Sequence, residues 1–469
     1  MATRRVLLLS CYELGQQPQH LAGAAAFLTV RGHELRACDL AVEALDDSSI
    51  AWAEVVCVAV PMHTAFRLAR SVLERVRAAR GDSVILVVYG LYAPMAAEVL
   101  PAGMVDHAVG GEFEEELCRI AGGARVSRSI VLDRQLFPTP RRDLLPPLDT
   151  YARLVRGDVE LTAGRIEASR GCVHRCRHCP VPVVYDGRIR IVQAETVVAD
   201  AVQQWRMGAR HLSLGDPDFL NAVPHALTTL RAVRAQLPEV TFDITTKVEH
   251  IVRHASVFDE LRALGVIFVV SAVESTSDTV LRILDKGHTH ADTLQALRVV
   301  RGAGIELRPS LLPFTPWTTL RDHLALLDFV AAEELFESVD PVHLSIRLLL
   351  PAGSLLLDRP ETRPQLRARI AGAGEIEWVH PDPLMDALAA DSSALVAEAA
   401  DGGEDSLLTH LRLRRLVAEA AAASGIGWDP GATVPPRRSL PRLSEPWFCC
   451  AEPTPAQRAG VLPLSMAGG

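Results

Sequence analysis

The chain has 469 residues, of which 49% are apolar and 22% charged, with a formal net charge of −9. Such a length admits two to four domains and a large core, and the absence of a basic run speaks against a nucleic-acid groove. No run of about 18 apolar residues offers a transmembrane helix, and the apolar stretch 6–9 is too short for a signal peptide. The nine cysteines are odd in number, and five of them gather at 172–179 and 449–450. That pattern is not a disulfide framework; it fits a reducing, cytoplasmic setting and a metal or redox role.

In chain order, short apolar runs alternate with amphipathic stretches. Strands are expected at 5–9, 33–40, 55–60 and 84–90, with helices at 20–31 and 64–79. A short strand then turns into a helix within 107–120. This alternation predicts a doubly wound, Rossmann-like parallel sheet over 1–125, with ligands at the carboxyl ends of its strands. Those ends read SCYE, PMHT, YGLYAP and GGEFEE. Residues 126–160, rich in Pro and Arg around Pro138–Asp149, read as a linker. The alternation resumes over 161–354. Strands are expected at 165–169, 211–215, 241–246, 266–272, 305–312 and 342–349, with helices at 195–207, 223–236, 276–284 and 291–303. Six such units predict a partial (β/α)6 barrel, whose chemistry sits at the carboxyl ends of its strands. Residues 355–445 read as mostly helical, and 446–469 as a Pro- and Gly-rich tail.

The first of these barrel strands runs into ASRGCVHRCRHCP, which places Cys172, Cys176 and Cys179 in a C-x3-C-x2-C spacing. Thiolates this close wrap one corner of an iron–sulfur cubane and leave one iron without a protein ligand. The alternative is a structural zinc site, with His174 or His178 as its fourth ligand. At the second strand end stands LSLGDPDF, where Gly215 permits a close backbone approach and Asp216 or Asp218 can accept from an ammonium group. The fourth strand ends in SAVES, with Ser271, Glu274 and Ser275 as hydroxyl and carboxylate donors or acceptors, or with Ser275 as a helix cap. Lys247, Arg308 and Arg347 end three further strands, free to meet a carboxylate or to close salt bridges. A weaker reading places Gly287–Thr289 on the substrate side.

The cysteine loop after a first barrel strand resembles the signature of radical S-adenosylmethionine (SAM) enzymes, and the resemblance covers about 161–354. It implies a [4Fe–4S] cluster on Cys172, Cys176 and Cys179, with SAM chelated at the open iron and a C–S bond of SAM cleaved on reduction. It also implies an external electron donor of the flavodoxin or ferredoxin type and a small-molecule substrate. Gly215, Asp216, Asp218, Lys247, Ser271, Glu274, Ser275, Arg308 and Arg347 then become candidate SAM contacts. His178 stands where the family often carries an aromatic residue.

The first domain resembles the cobalamin-binding domains fused to many radical SAM enzymes, with Gly111–Glu114 in place of their last turn and Gly90-Leu91 in place of their fourth-strand glycines. The D-x-H-x-x-G motif that supplies a histidine to cobalt is absent, so the resemblance implies cobalamin held without that ligand. The tail sequence PWFCCAEP resembles the CUAEP/CCAEP-tail radical SAM proteins, some of which carry selenocysteine where Cys450 stands. Adjacent cysteines close a disulfide only in a strained turn, whereas a vicinal dithiol chelates a soft atom or exchanges electrons. Cys449 and Cys450 are therefore expected to take part in catalysis, with the tail folded back over the barrel mouth. The expected reaction is SAM-driven transfer of a methyl or other alkyl group, one form of it being 3-amino-3-carboxypropyl transfer to arsenite or another soft atom on the dithiol. Methylthiotransfer or a radical rearrangement with the tail as relay, and a non-catalytic sensor, are the alternatives.

Overall fold

The computed structural model describes residues 3–125, 129–369, 375–431, 438–445 and 447–461. The first sheet is built from β1 (Arg5–Ser10), β2 (Glu34–Asp39), β3 (Val55–Ala59), β4 (Ile85–Tyr89), β5 (His107–Gly111) and β6 (Ile130–Val131). Its order is β2-β1-β3-β4-β5-β6 and every pairing is parallel. Alternate residues serve opposite faces. Leu7, Leu9, Val56 and Val58 join one apolar cluster, while Val6, Leu8, Val55 and Cys57 join another. Helix Gln19–Val30 covers the second face through Leu21, Ala24 and Leu28, and helix His63–Arg80 covers the first through Phe66 and Leu73. Burial on both faces is why β1, β3 and β4 read as unbroken apolar runs rather than alternating ones.

The Pro- and Arg-rich stretch after the first sheet is tied down by several side chains, among them Gln17, Thr196 and Gln203 on its carbonyls and its own Arg142. Arg142 is fully buried and ion-pairs with Asp200 at 2.8 Å. It also donates to the Gln17 and Arg165 carbonyls and to the Gln19 side chain. One guanidinium therefore joins the first sheet's leading loop, the connecting stretch and the second sheet.

The second sheet starts with an antiparallel hairpin, β7 (Arg153–Arg156) and β8 (Val159–Ile166). A separate two-stranded ribbon follows, β9 (Ser169–Gly171) with β10 (Ile189–Ile191). Then come β11 (His211–Leu214), β12 (Thr241–Thr245), β13 (Val266–Glu274) and β14 (Glu306–Leu311), each parallel to its neighbour. A hairpin of β15 (Leu366–Arg369) and β16 (Ile376–Trp378) and helices Pro383–Asp401 and Ser406–Ala423 come next; β17 (Arg442–Leu443) then returns to pair with β7. The full order is β14-β13-β12-β11-β8-β7-β17, a curled half-barrel of five parallel strands with an antiparallel edge.

Two expected strands differ from this. The strand expected at 165–169 straddles a break: the sheet strand ends at Ile166, and Ser169 already belongs to the ribbon. The break arises because the Ala168 amide and the Ser169 hydroxyl both donate to the buried Asp216 carboxylate, at 3.0 and 2.6 Å, which pulls the chain off the sheet. The strand expected at 342–349 is a 3-10 turn, Pro341–Leu344, followed by a single bridge between Phe314 and Arg347. Pro341 sets a helical φ at the turn's first position, where its missing N–H costs nothing. Among the described residues no helix is long and apolar enough to cross a membrane.

Candidate active site

The cysteine loop leaves the end of the ribbon strand β9 through Gly171. Its φ is +73°, and a Cβ there would strike the Arg188 carbonyl and the Tyr185 ring, so only glycine fits. Asn221 braces the loop's start: its side-chain oxygen lies 3.6 Å from the Cys172 sulfur and accepts from the Val173 amide at 3.3 Å. The loop's far side is stitched to helix Asp278–Leu284, where the Arg177 amide donates to the Leu284 carbonyl and its guanidinium to that of Ile283, both at 2.9 Å.

Cys172 and Cys176 are buried and Cys179 is half-buried; all three are free thiols. They share one pocket and act on one another electrostatically. Burial, then Asp218, pushes Cys172 up to about 11. Burial, then Cys176, pushes Cys179 higher still, while Lys286 pulls it down. Three free thiols on one short loop suit a cation that binds sulfur as thiolate, and an iron cluster is such a group. The histidines that could close a zinc site are engaged elsewhere. His174 Nε2 lies 3.0 Å from His250 Nε2, and His178 Nε2 lies 3.2 Å from Glu274. The donor set thus fits three thiolates with an open fourth position.

Of the expected SAM contacts, Asp218, Lys247 and Glu274 gather around this loop. Asp218 accepts from the Thr246 hydroxyl at 2.7 Å. Its other oxygen lies 2.9 Å from His250 Nδ1 but off the line of a hydrogen bond, leaving both buried atoms without a partner. A buried carboxylate oxygen in that state suits an ammonium ligand. The Lys247 ammonium is 3.3 Å from Glu249. Together with burial, Lys247 and then His250 press His174 down to about 4, keeping its ring neutral. Glu274 has a φ of +65° and faces Lys286 and His178, each at 3.2 Å. Burial favours its acid form, but Lys286 and His178 hold it well below the usual carboxylate range.

The other expected contacts have local work. Gly215 packs beneath the Arg165 guanidinium, and Asp216 anchors the start of the cysteine loop. Burial pushes Asp216 up to about 7. Ser275 accepts from the Ser277 amide, and the buried Ser271 hydroxyl has no hydrogen-bond partner. Arg308 pairs with Asp340 at 2.9 Å, and Arg347 with Asp386 at 2.6 Å while lying over the Trp378 ring. These two arginines support the wall rather than the mouth.

Several residues with a clear place in the site were missed in sequence. Lys286 is buried, and its ammonium faces Glu274, Cys176 and Cys179. Its only signal was the neighbouring stretch Gly287–Thr289. Asn221, His250 and Tyr92 had no signal, because each reaches the site from its own loop or helix.

The tail crosses from the edge strand β17 to the strand ends of the first sheet. Thr64 and His63 stand just after β3 and Tyr12 just after β1. The Thr64 hydroxyl donates to the Ala451 carbonyl at 2.8 Å, and the Thr64 amide to that of Cys449 at 3.3 Å. Tyr12 donates to Glu445 at 3.1 Å. The buried His63 ring is clamped between Glu375 at 2.7 Å and Glu452 at 2.8 Å. Cys449 and Cys450 are free, half-buried and 3.6 Å apart at sulfur. Cys449 and burial push Cys450 up, while His63 pulls it down. Tyr92 is buried among Cys450, Glu375, Cys449 and Cys179, so one phenol touches the electrostatics of both cysteine groups. Phe448 packs on His343 of the barrel with ring centroids 4.4 Å apart.

Burial opposes the charged form of His63, but its two carboxylate partners raise it from 6.5 to about 9. Its contribution to tail docking is therefore complete below pH 6.5 and lost as pH rises through about 9. The difference in thermal midpoint between wild type and His63→Gln is expected to be full at pH 6 and to vanish above about 9. An unchanged difference across that range would remove the charged clamp.

Residues 166–329 match the family described as the Radical SAM superfamily. A Methanocaldococcus jannaschii protein assigned to the methylthiotransferases is 22% identical over 316 residues, covering 63% of this chain and 67% of that protein. The ribosomal protein uS12 methylthiotransferase RimO of Thermus thermophilus is 26% identical over 245 residues, covering 48% of this chain and 54% of its own. The chain thus spans about two thirds of the first relative and about half of the second. Among solved structures, the cobalamin-dependent SAM radical enzyme OxsB, with aqua-cobalamin and SAM bound, superposes with a TM-score of 0.66 at 13% identity, covering 90% of this chain and 71% of that one. The radical SAM methyltransferase TsrM of Kitasatospora setae, with tryptophan and a SAM analogue bound, gives 0.57 at 19%, covering 76% of this chain and 75% of that one. The half-barrel region is thus similar to the Radical SAM superfamily, and the half-barrel together with the parallel sheet before it shares the fold of OxsB and TsrM.

Proposed function

We propose that Cys172, Cys176 and Cys179 hold a [4Fe–4S] cluster, and that the enzyme transfers the 3-amino-3-carboxypropyl group of SAM to arsenite, or a like soft atom, held by Cys449 and Cys450. When bound, the cluster supplies the electron that opens a C–S bond of SAM, and a flavodoxin- or ferredoxin-type protein primes it. The observation that carries this reading is the docked tail: Thr64 holds the Ala451 and Cys449 carbonyls and so seats a free dithiol at the strand ends of the first sheet. Around it the chain's own groups have defined tasks. Asp218 offers an unpaired oxygen to the SAM ammonium, and the Lys286 ammonium offsets thiolate charge at Cys176 and Cys179. Soft thiolates at Cys449 and Cys450 orient the acceptor's lone pair.

The transfer balances. The arsenic(III) lone pair becomes the new As–C bond and arsenic rises to the pentavalent state. The broken C–S bond leaves its electron pair on methylthioadenosine, and the priming electron is returned. The cobalamin expected at the first sheet would lie at the ends of β1, β3, β4 and β5. With the tail docked the ends of β1 and β3 are filled, so the corrin does not fit this arrangement and no step is routed through it.

Anoxically reconstituted enzyme given SAM, dithionite and arsenite is expected to release methylthioadenosine and an organoarsenical. Cys449→Ser and Cys450→Ser variants should still cleave SAM but yield no organoarsenical. Formation of 5′-deoxyadenosine alone would sink aminocarboxypropyl transfer, and absence of any SAM cleavage would sink the cluster assignment.

A further inference from the structure

We propose that residues 447–452 and a corrin are alternative occupants of one crevice, at the carboxyl ends of β1, β3 and β4, so that tail docking and cobalamin binding exclude each other. The proposal rests on reading the first sheet as a cobalamin-binding fold.

Sheet order locates the crevice. Strands run outward from β1 to β2 on one side and from β3 to β4 on the other. At such a reversal the loops diverge, and the gap outside the carboxyl ends is where doubly wound sheets take ligands. In this chain the gap is filled by the chain itself. Tyr12, after β1, holds Glu445. After β3, Thr64 offers both its amide and its hydroxyl to tail carbonyls, with those of Phe448, Cys449 and Ala451 within 3.2, 3.1 and 2.8 Å of the hydroxyl. Arg67 adds a 3.0 Å bond to Glu452, and the Trp447 indole closes the segment on itself through the Glu452 carbonyl at 3.0 Å. After β4, the Tyr92 ring packs edge-on against His63, the residue that holds Glu452, with centroids 6.3 Å apart.

Tyr12, Thr64 and Arg67 at this reversal are thus spent on the tail. A corrin, whose rim of amide side chains donates and accepts, would need the same donors at Tyr12 and Thr64. It would also need the space taken by Trp447 and Ala451, both of which are buried. Loading a corrin therefore frees the dithiol, and docking the dithiol expels the corrin.

The test titrates hydroxocobalamin into the anoxically reconstituted full-length enzyme. It follows corrin absorbance together with iodoacetamide labelling of Cys449 and Cys450 by peptide mass spectrometry. Corrin binding should be accompanied by faster labelling of both tail cysteines. Glu452→Gln and, separately, Trp447→Phe should each tighten corrin binding about fivefold, as expected when one tail hydrogen bond is lost. One equivalent of corrin bound with unchanged tail labelling would overturn the exclusion while leaving the cobalamin reading intact. No corrin binding by wild type or either variant would overturn both, and SAM cleavage in the same samples reports separately on the cluster.

Discussion

Replacement of Cys172, Cys176 or Cys179 by alanine is expected to remove the iron–sulfur absorbance and bring SAM cleavage to background. A cubane held by only three protein ligands has no spare sulfur to lose, and the loop offers no substitute. The histidines beside it are turned away, His174 toward His250 and His178 toward Glu274. His174→Gln and His178→Gln should therefore retain iron, which a zinc site closed by either histidine would not allow. Cys118→Ala is the control. That thiol is buried in the first domain's core, and burial pushes it up to about 12. Iron analysis, the absorbance spectrum and adenosine-containing products together decide the matter. Full iron content in any of the three alanine variants would break the assignment.

Arg142→Ala is expected to be the most damaging single change to stability, at about 3–5 kcal/mol, because it leaves the Asp200 carboxylate buried without its partner. Both side chains are almost fully enclosed, Arg142 at 0% and Asp200 at 2% relative exposure. The lost hydrogen bonds to the Gln17 and Arg165 carbonyls add to the effect, since they join the first sheet's leading loop to the half-barrel. Such a loss is a large fraction of the ~5–15 kcal/mol that holds a typical domain folded. Arg142→Lys should recover little, since one ammonium cannot reproduce the forked geometry. The double variant Arg142→Met/Asp200→Leu should recover much of the loss, because an apolar pair carries no desolvation cost. Urea unfolding of the three variants reads the order directly. If Arg142→Ala unfolds with wild type, the guanidinium is not a joint of the fold.

The outline of this protein was legible in the sequence wherever one local pattern sufficed. The parallel strands of both sheets announced themselves as apolar runs such as Val6–Leu9 and Val55–Ala59, and the cysteine loop as a tight spacing. Reading failed where a distant group overrode the local pattern. The strand expected at 165–169 breaks because Asp216, from the next strand end, captures Ala168 and Ser169. Arg308 and Arg347 read equally as carboxylate ligands or as salt-bridge partners, and only the fold shows their pairing with Asp340 and Asp386, 32 and 39 residues further on. Lys286 was passed over because a lysine behind a helix carries no signal until Glu274 is known to face it.

By itself, then, the sequence determined the succession of two α/β units, the three clustered thiols and the presence of a second, vicinal pair. These follow from periodicity and spacing, which are properties of neighbours in the chain. The tertiary structure alone decided that the pair returns to the first sheet's strand ends, that Thr64 and His63 hold it there, and that Tyr92 packs against His63. Those facts depend on contacts between residues separated by nearly four hundred positions, as in the pairing of His63 with Glu452. No local pattern encodes such a distance; it is set by which buried donors and charges would otherwise go unpaired.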